Sequence, residues 1–464
     1  MRPFSSASVS VRESPWPLVV KGALLHFLVD GLCVCCLYLL LSAYGGPALV
    51  GSFILYNVLA FLTQPWTGML ADNRRLLPLS LPLAVTLLAV AVVLASLLLA
   101  NSSSTSHLSP LTFFIVALPL GLGNSLFHVW GGKKVAVVTG NDPRALGLFV
   151  STGAFGLAVG VVLHVWWVLY LFLGMIAILT PTPIPSPREG SSNTSNAVSY
   201  NVINLPSLGE GKGMGPWLVW CILLLLMGFV LFRSFLGETL TTGVAKGGAM
   251  MLLIGGIAML GKALGGWVAK GFGLFTTFII AIVGAVSCML LRGFAPWLWL
   301  PGLLLINGTM AVTLCWANGV MPGREGLAFG LLAAALMPGY MLAMAEAVLS
   351  FIVPHLLLML VPTVIIELVV LWMLRERRAD VLASSVVVNI LTNIPLNLFL
   401  IYVSISWPTL LIGEMLVVLV ETLWYRYFVG EWRRAVVYSV LCNAISFLVG
   451  LLVQLFIMLT DKIL

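Results

Sequence analysis

The sequence predicts an all-α polytopic membrane protein. Apolar residues make up 61% of the chain and charged residues 8%, whereas soluble domains carry about 25% charged residues. The mean hydropathy is +1.11. Many apolar runs reach the ~20 residues that a helix needs to cross a bilayer. These runs do not alternate polar and apolar residues as barrel strands would, so the spans are expected to be helices.

We interpret the apolar runs as twelve spans followed by three more. The first six lie near 18–43, 48–68, 77–100, 110–130, 145–163 and 165–180. The next six lie near 216–236, 248–268, 272–292, 296–318, 325–346 and 350–374. The last three lie near 382–404, 409–427 and 435–459. Residues 145–180 are too many for one span, so two spans are assigned there.

The basic residues predict the orientation of these spans. If the N-terminus is cytoplasmic, most of the 23 Lys and Arg residues fall in the N-terminal tail and in alternate loops. Only Lys246, Arg292 and Lys462 face the other side. This bias follows the positive-inside rule. The net charge of +7 therefore indicates membrane topology, and we expect no nucleic-acid partner.

The composition also predicts the domain organisation. Residues 181–215 are rich in Pro, Ser, Asn and Gly, which is typical of a flexible linker. The predicted parts are a cytoplasmic tail (1–17), a six-helix bundle (18–180), the cytoplasmic linker (181–215), a second six-helix bundle (216–375) and an accessory three-helix membrane segment (376–464).

Two motifs recur in the two bundles. Gly68-Met-Leu-Ala-Asp72 pairs with Gly266-Trp-Val-Ala-Lys270, each after the second span of its bundle. Asp142-Pro-Arg144 pairs with Pro322-Gly-Arg324, each between the fourth and fifth spans. The repeat predicts two bundles related by an axis along the membrane normal.

The stretch from Gly68 to Arg75 reads G-x-L-A-D-x-R-R. It resembles the loop between the second and third helices of major facilitator superfamily (MFS) transporters. The resemblance implies a secondary transporter in which Gly68, Asp72, Arg74 and Arg75 form a conformational gate. The alternative is a basic loop that only sets topology.

Two further stretches narrow the resemblance. The first span contains His26-Phe-Leu-Val-Asp30, and the fourth contains Gly121-Leu-Gly-Asn-Ser-Leu-Phe-His128. These are similar to the fosmidomycin-resistance-like branch of the superfamily, whose members are drug-efflux proteins. In this chain Val129 replaces the proline that follows the histidine in that branch.

Ionisable residues inside a membrane are costly and are often functional. Asp30 and His26 are four residues apart on one helix face and are the candidates for proton coupling; a structural hydrogen-bonded pair is the alternative. Arg233, Lys262 and His128 are the candidates for a substrate cavity. Alternatively, Lys262 extends to the membrane edge and His128 belongs to an interfacial belt.

The three C-terminal spans contain a second polar set. Asn389, Asn393 and Asn397 form one helical stripe, and Glu414 and Glu421 share a face of the next helix. Asn443 lies in the last span. The pattern predicts an interhelical hydrogen-bond network. The alternative is an accessory site for an ion or a protein partner.

We therefore expect proton-coupled export of a small organic or drug-like molecule, by alternating access, in a bacterial plasma membrane. The alternative is a membrane scaffold or assembly factor whose C-terminal helices recruit a partner. An enzyme is not expected, because no His-rich metal motif, Gly-x-Ser-x-Gly motif or phosphate loop is present. The seven cysteines form no Cys-x-x-Cys pair. No catalytic residue, metal or cofactor is predicted.

Overall fold

The computed structural model describes residues 14–44, 47–100, 110–180, 215–244, 247–344, 349–402 and 407–460. The helices of the first half are α1 (Trp16–Tyr44), α2 (Pro47–Asn57), α3 (Gln64–Asp72), α4 (Leu77–Ala100), α5 (Pro110–Thr139), α6 (Pro143–Val162) and α7 (Trp166–Leu179). Those of the second half are α8 (Pro216–Thr241), α9 (Gly248–Phe272), α10 (Leu274–Leu291), α11 (Trp299–Val320), α12 (Glu325–Ala334) and α13 (Leu336–Met344). The remaining helices are α14 (Leu349–Met373), α15 (Ala379–Tyr402), α16 (Trp407–Val429) and α17 (Trp432–Thr460).

The predicted fold class is confirmed. Within the described residues, eleven helices are long and apolar enough to cross a membrane. Three helices, α15 to α17, follow the region predicted to hold twelve spans. The protein is an all-α, multi-pass membrane protein. Most of the predicted tail (1–17) and linker (181–215) lies outside the described residues, and the domain boundaries stay a prediction.

Two predicted spans are interrupted helices. The span near 48–68 consists of α2, a π-helical turn at Val58–Leu62 and α3, which begins with Pro65 in its first turn. The span near 325–346 breaks at Ala335 between α12 and α13. Pro65 and Pro338 lack the N–H that would continue the helical hydrogen bonds. Hydropathy does not register these breaks, because the residues around them remain apolar.

The two halves meet through two helix pairs, α3 with α12 and α6 with α9. α3 and α9 each end the second span of their half, and α6 and α12 each begin the fifth. Exchanging the halves therefore converts one pair into the other, as the sequence repeat predicts. A Cβ on Gly68 would collide with the carbonyl of Gly326, and a Cβ on Gly266 with that of Pro143. Only glycine permits both close approaches.

Helices α14 to α17 form a separate ring, which we call the C-terminal unit. In it α15 packs between α14 and α16, and α17 packs between α16 and α14. The unit contacts the rest of the protein where Trp424 lies 6.0 Å from Trp66 and 6.5 Å from Trp220, measured between ring centroids. The guanidinium of Arg324 stacks 4.9 Å from the ring of Tyr427. The C-terminal unit thus touches both halves.

Candidate functional site

The central polar cluster lies between α1 and α5. Asp30 is 6% exposed and His26 is 4% exposed. His26 Nε2 lies 3.3 Å from Asp30 Oδ2, and His128 Nε2 lies 3.4 Å from Asp30 Oδ1. Asn124 Nδ2 donates to Asp30 Oδ1 at 3.1 Å. The structure thus joins the predicted pair, His26 and Asp30, to two residues of the fourth span, which we call the His–Asp cluster.

The hydrogen bonds define where the protons of this cluster lie. His26 Nδ1 is 2.7 Å from the carbonyl of Phe149, and His128 Nδ1 is 2.9 Å from the carbonyl of Asn124. Carbonyls only accept, so both Nδ1 atoms carry hydrogen. The two Nε2 atoms are 2.8 Å apart, which requires another proton between them. A proton shared in this way would give the imidazole pair one positive charge, which the Asp30 carboxylate would balance.

The same side chains offer a group that could hold a metal ion. Ligand atoms of His26, Asp30 and His128 all lie within 4.8 Å of one another. Two imidazole nitrogens bound to one tetrahedral zinc ion, at ~2.05 Å each, would be about 3.3 Å apart. The observed separation of 2.8 Å between the Nε2 atoms fits a shared proton better. A metal ion would require the two rings to separate.

Helix α6 supplies the space for this cluster. A Cβ on Gly153 would overlap both Asp30 Oδ2 and His26 Nε2, and a Cβ on Gly156 would overlap the carbonyl of Phe27. The glycine face of α6 thus lets α1 approach closely. Gly153 also leaves room for the charged side chains of Asp30 and His26.

His128 is not at the end of its span, where the sequence interpretation put it. Helix α5 continues to Thr139, and His128 lies well inside it. Gly131 and Gly132 allow the helix to continue between neighbours, because a Cβ there would strike Phe149 and Phe329, respectively. His128 belongs to the His–Asp cluster, whereas the sequence interpretation assigned it to the substrate cavity.

Arg233 and Lys262 line a cavity of about 230 Å³ in the second half. Arg233 is 6% exposed, and its one side-chain hydrogen bond within the described residues goes to Thr313 Oγ1 at 3.4 Å. Neither basic residue forms an ion pair there. Glu238, Asn307 and Tyr340 also line the cavity. The lining mixes apolar side chains with polar ones, among them two basic groups and one acidic group.

The cavity and the His–Asp cluster are electrostatic neighbours. Lys262 lies within range of both Arg233 and Asp30, and His128 also experiences its charge. A change of charge in the cluster will be felt in the cavity.

Asp72, a residue of the predicted gate, contacts two other helices, α12 and α5. Asp72 accepts hydrogen bonds from the backbone N–H groups of Gly326 (2.8 Å) and Leu327 (3.0 Å). Lys133 Nζ is 2.7 Å from Asp72 Oδ1. A carboxylate at a helix N-terminus is favourable, so these contacts hold the halves together at the end with the basic loops. We call this end the basic end.

The predicted gate arginines do not take part in the same way. Arg74 and Arg75 are exposed, and the backbone N–H of Arg75 donates to Asn73 Oδ1 at 2.9 Å. The cation that reaches Asp72 is Lys133 of α5, which the sequence analysis did not assign to the gate. The sequence motif identified the loop that contains Asp72, but Lys133 is 61 residues away from Asp72 and is not part of the motif.

The second half has a different charge at the equivalent position. Lys270 stands where the first half has Asp72, and Asp142 receives a hydrogen bond from the backbone N–H of Arg144 at 2.9 Å. Burial favours the neutral acid, but the hydrogen bonds of Arg144 and the charges of Arg144 and Lys270 outweigh it. They hold the pKa of Asp142 below its usual value.

The C-terminal unit has its own polar cluster. Asn389 donates to Glu367 at 2.7 Å and Thr392 donates to Glu421 at 2.9 Å. Asn443 also donates to Glu421. Of the predicted accessory residues, Asn393 and Asn397 bond to each other (3.0 Å), and Glu414 is half-buried. Glu367 was not among the predicted accessory residues, and the packing of α14 against α15 brings it into this cluster.

Comparison with known proteins gives likenesses to solved structures. No family model matches the chain, and no curated protein matches it. The structure is similar to the crystal structure of a bacterial homologue of iron transporter ferroportin in outward-facing state. The likeness has a TM-score of 0.47 and 14% sequence identity, and it covers 83% of this chain and 99% of that chain.

Proposed function

We propose that this protein is an MFS-type secondary transporter that couples proton movement to the transport of a small organic anion. The expected direction is export, and the expected mechanism is alternating access in a plasma membrane, with the basic end in the cytoplasm. The observation that carries the proposal is the pair of imidazole Nε2 atoms, 2.8 Å apart and facing Asp30.

The His–Asp cluster would carry the coupling proton. His26 and His128 together hold one proton more than two neutral imidazoles, and Asp30 is the counter-charge. Release of that proton would leave two Nε2 lone pairs facing each other beside a carboxylate, which is repulsive. The rings must then separate, so the protonation state and the packing of α1 against α5 are linked.

The cavity would bind the substrate through Arg233 and Lys262. Buried charges are normally paired, and these two have no ion-pair partner within the described residues. An anion of carboxylate or phosphate type could accept several hydrogen bonds from the guanidinium of Arg233. Lys262 would sense both the bound anion and the charge of the His–Asp cluster, so it is the expected link between substrate and proton.

The contacts at Asp72 support alternating access. They close the basic end by joining α3 to α12, and Asn141 adds bonds to the carbonyl of Cys315 (2.9 Å) and to Asn318 (3.0 Å) in the other half. To open this end, the two halves must break a small set of polar contacts. Because Gly68 and Gly266 have no side chains at the contacts between the halves, the halves could rock there without displacing side chains.

Proton flux in proteoliposomes tests the proposal. A pH-sensitive dye reports flux while small organic anions and amphiphilic drugs are added in turn. We expect substrate-dependent proton movement in the wild type and its loss in Asp30→Asn, which removes the counter-charge without changing the side-chain size. Asp380→Asn, at the start of α15, is the matched control and should behave like the wild type.

Other outcomes would replace the proposal. Coupled flux that survives Asp30→Asn with its pH dependence intact would remove the His–Asp cluster from coupling. Uptake of zinc or manganese that depends on His26 and His128, without a response to anions, would make the cluster a metal site. Silence across the panel in folded protein would favour the scaffold, and deletion of 382–464 in a pull-down would then test partner binding.

A further inference from the structure

Two glutamate side chains are buried together in the C-terminal unit. Glu367 of α14 and Glu421 of α16 are both 0% exposed. Their oxygens accept hydrogen bonds from Asn389 and Thr392, respectively. These two donors are three residues apart on α15, so they lie on the same helix face. The two carboxyl groups are therefore neighbours inside the four-helix ring.

The groups around this pair provide no positive charge. The titratable groups that face it are Glu414 and Tyr425 from α16 and Cys442 from α17. On α15 the partners are neutral: Asn389, Thr392 and Ser385. Within the described residues, neither glutamate of the pair forms an ion pair. Two neighbouring carboxylates in an apolar site cannot both remain charged.

The hydrogen bonds distinguish the two members of the pair. Both oxygens of Glu421 accept a bond, one from Thr392 and the other from Asn443. One oxygen of Glu367 accepts from Asn389, but its Oε1 is buried with no hydrogen-bond partner. Donors stabilise the charged form of a carboxylate. The charged form of Glu421 is therefore stabilised more than that of Glu367. A positive ion would bind at the unpaired oxygen of Glu367.

The count of free oxygens indicates which ion fits. A calcium ion needs six to eight oxygen ligands, and magnesium needs near-octahedral coordination. Of the four carboxylate oxygens of the pair, only Glu367 Oε1 lacks a partner. A proton needs one oxygen, and a neutral carboxyl is less costly to bury than a carboxylate.

We propose that Glu367 and Glu421 form a second proton-binding site, in which the pair holds one proton on Glu367. This site is separate from the His–Asp cluster and lies in helices that the transport proposal does not use. Glu414 lies seven residues before Glu421 on the same face of α16, two turns or about 10 Å along the helix. Glu414 is half-buried, so a proton could pass through it between the surface and the pair.

Infrared spectroscopy of the purified full-length protein tests the site. A protonated carboxyl group has a carbonyl stretch that a carboxylate lacks. We expect the wild type to show this band at neutral pH and Glu367→Gln to lose it. Glu431→Gln, which changes an exposed carboxylate paired with Arg434, is the matched control and should keep the band.

A second variant keeps the test independent of any folding defect in the first. Glu421→Gln removes the neighbouring negative charge, so Glu367 should ionise more readily and its band should weaken at neutral pH. Absence of the band in the wild type, or an unchanged band in both glutamine variants, would overturn the proposal. A sodium-dependent gain in thermal stability that Glu367→Gln abolishes, without the band, would assign a metal cation instead. Transport by the Asp30 site is measured separately, so either proposal can fail alone.

Discussion

Each half has a buried charged residue on its first helix. The two residues have opposite charges and differ in how many partners they contact. In the first half, Asp30 of α1 is held by His26, Asn124 and His128. In the second half, Arg233 of α8 has one hydrogen bond within the described residues, to Thr313 of α11 at 3.4 Å. Each site is formed by the first and fourth helices of its half. We call the Asp30 site saturated, because several partners contact its charge, and the Arg233 site unsaturated, because one hydrogen bond does.

This difference separates two tasks that a coupled transporter must perform. The saturated site contains its own counter-charge and one extra proton, so it can change state by losing that proton. The unsaturated site has hydrogen-bond donors without a described carboxylate partner, so it needs a ligand from outside. In the proposed function each task would have a half of its own, and Lys262 is within electrostatic range of Asp30 and Arg233.

The largest effect should come from Arg233→Gln, which removes the positive charge from the unsaturated site. A hydrogen bond to a charged group contributes about 1.5–3 kcal/mol, so binding of the anion should weaken about 10- to 100-fold. Substrate-induced thermal stabilisation of the purified protein measures this. Arg434→Gln, which changes an exposed arginine in the first turn of α17, is the control. Unchanged affinity in Arg233→Gln would mean that the anion binds elsewhere.

A smaller effect is expected when the saturated site is disturbed without changing its charge. In Gly153→Ala, the new methyl group would overlap Asp30 Oδ2 and His26 Nε2 and force them apart. Overpacking of this kind costs about 1–3 kcal/mol, and proton-coupled flux should fall about 10-fold. Gly174→Ala introduces the same methyl group where no atom lies within 4 Å. If the two variants transport equally well, the packing around Asp30 does not control coupling.

The smallest effect should come from Asp72→Asn at the contact between the halves. The amide keeps an acceptor but loses the charge that interacts with Lys133 and with the start of α12. We expect the closed basic end to lose about 1 kcal/mol, which favours the open form roughly 5-fold. Cys315, 1% exposed and bonded to the carbonyl of Asn141, reports this opening.

In a variant with Cys315 as its only cysteine, thiol labelling should be faster when Asp72 is replaced. Glu431→Gln is the control for a lost surface carboxylate. An unchanged labelling rate would show that the glycine contacts alone keep this end closed. The difference between the two halves would then lie in their buried charged residues and not in the contacts of Asp72.

Sequence reasoning predicted the parts of the fold that depend on local properties. Hydropathy located the helices, and the repeat of Gly68 and Gly266 indicated two similar six-helix halves. The spacing of His26 and Asp30 placed both on one face of α1. Each of these follows from composition or helical period, which a single chain displays directly.

The partners could not be predicted in the same way, because they come from distant helices. Asn124 and Lys133 are 94 and 61 residues from the carboxylates that they contact. Glu367 reaches Asn389 only because α14 packs against α15. One signal was available: Asn124 and His128 are four residues apart, on the same face of α5 as each other. That spacing predicts a polar face on α5, which is the face that contacts Asp30.

Helix α12 begins without a cap of its own. Its first flanking residue, Arg324, makes no side-chain bond to the helix N-terminus, and the oxygen atoms that fill this place belong to Asp72 in the other half. An N-cap contributes about 0.5–2 kcal/mol to a helix. Each opening of the basic end would therefore uncap α12, and each closing would cap it again. The N-terminus of α12 is fully hydrogen-bonded only while the first half is docked against it, so the fraying of α12 would report each opening in the proposed transport cycle.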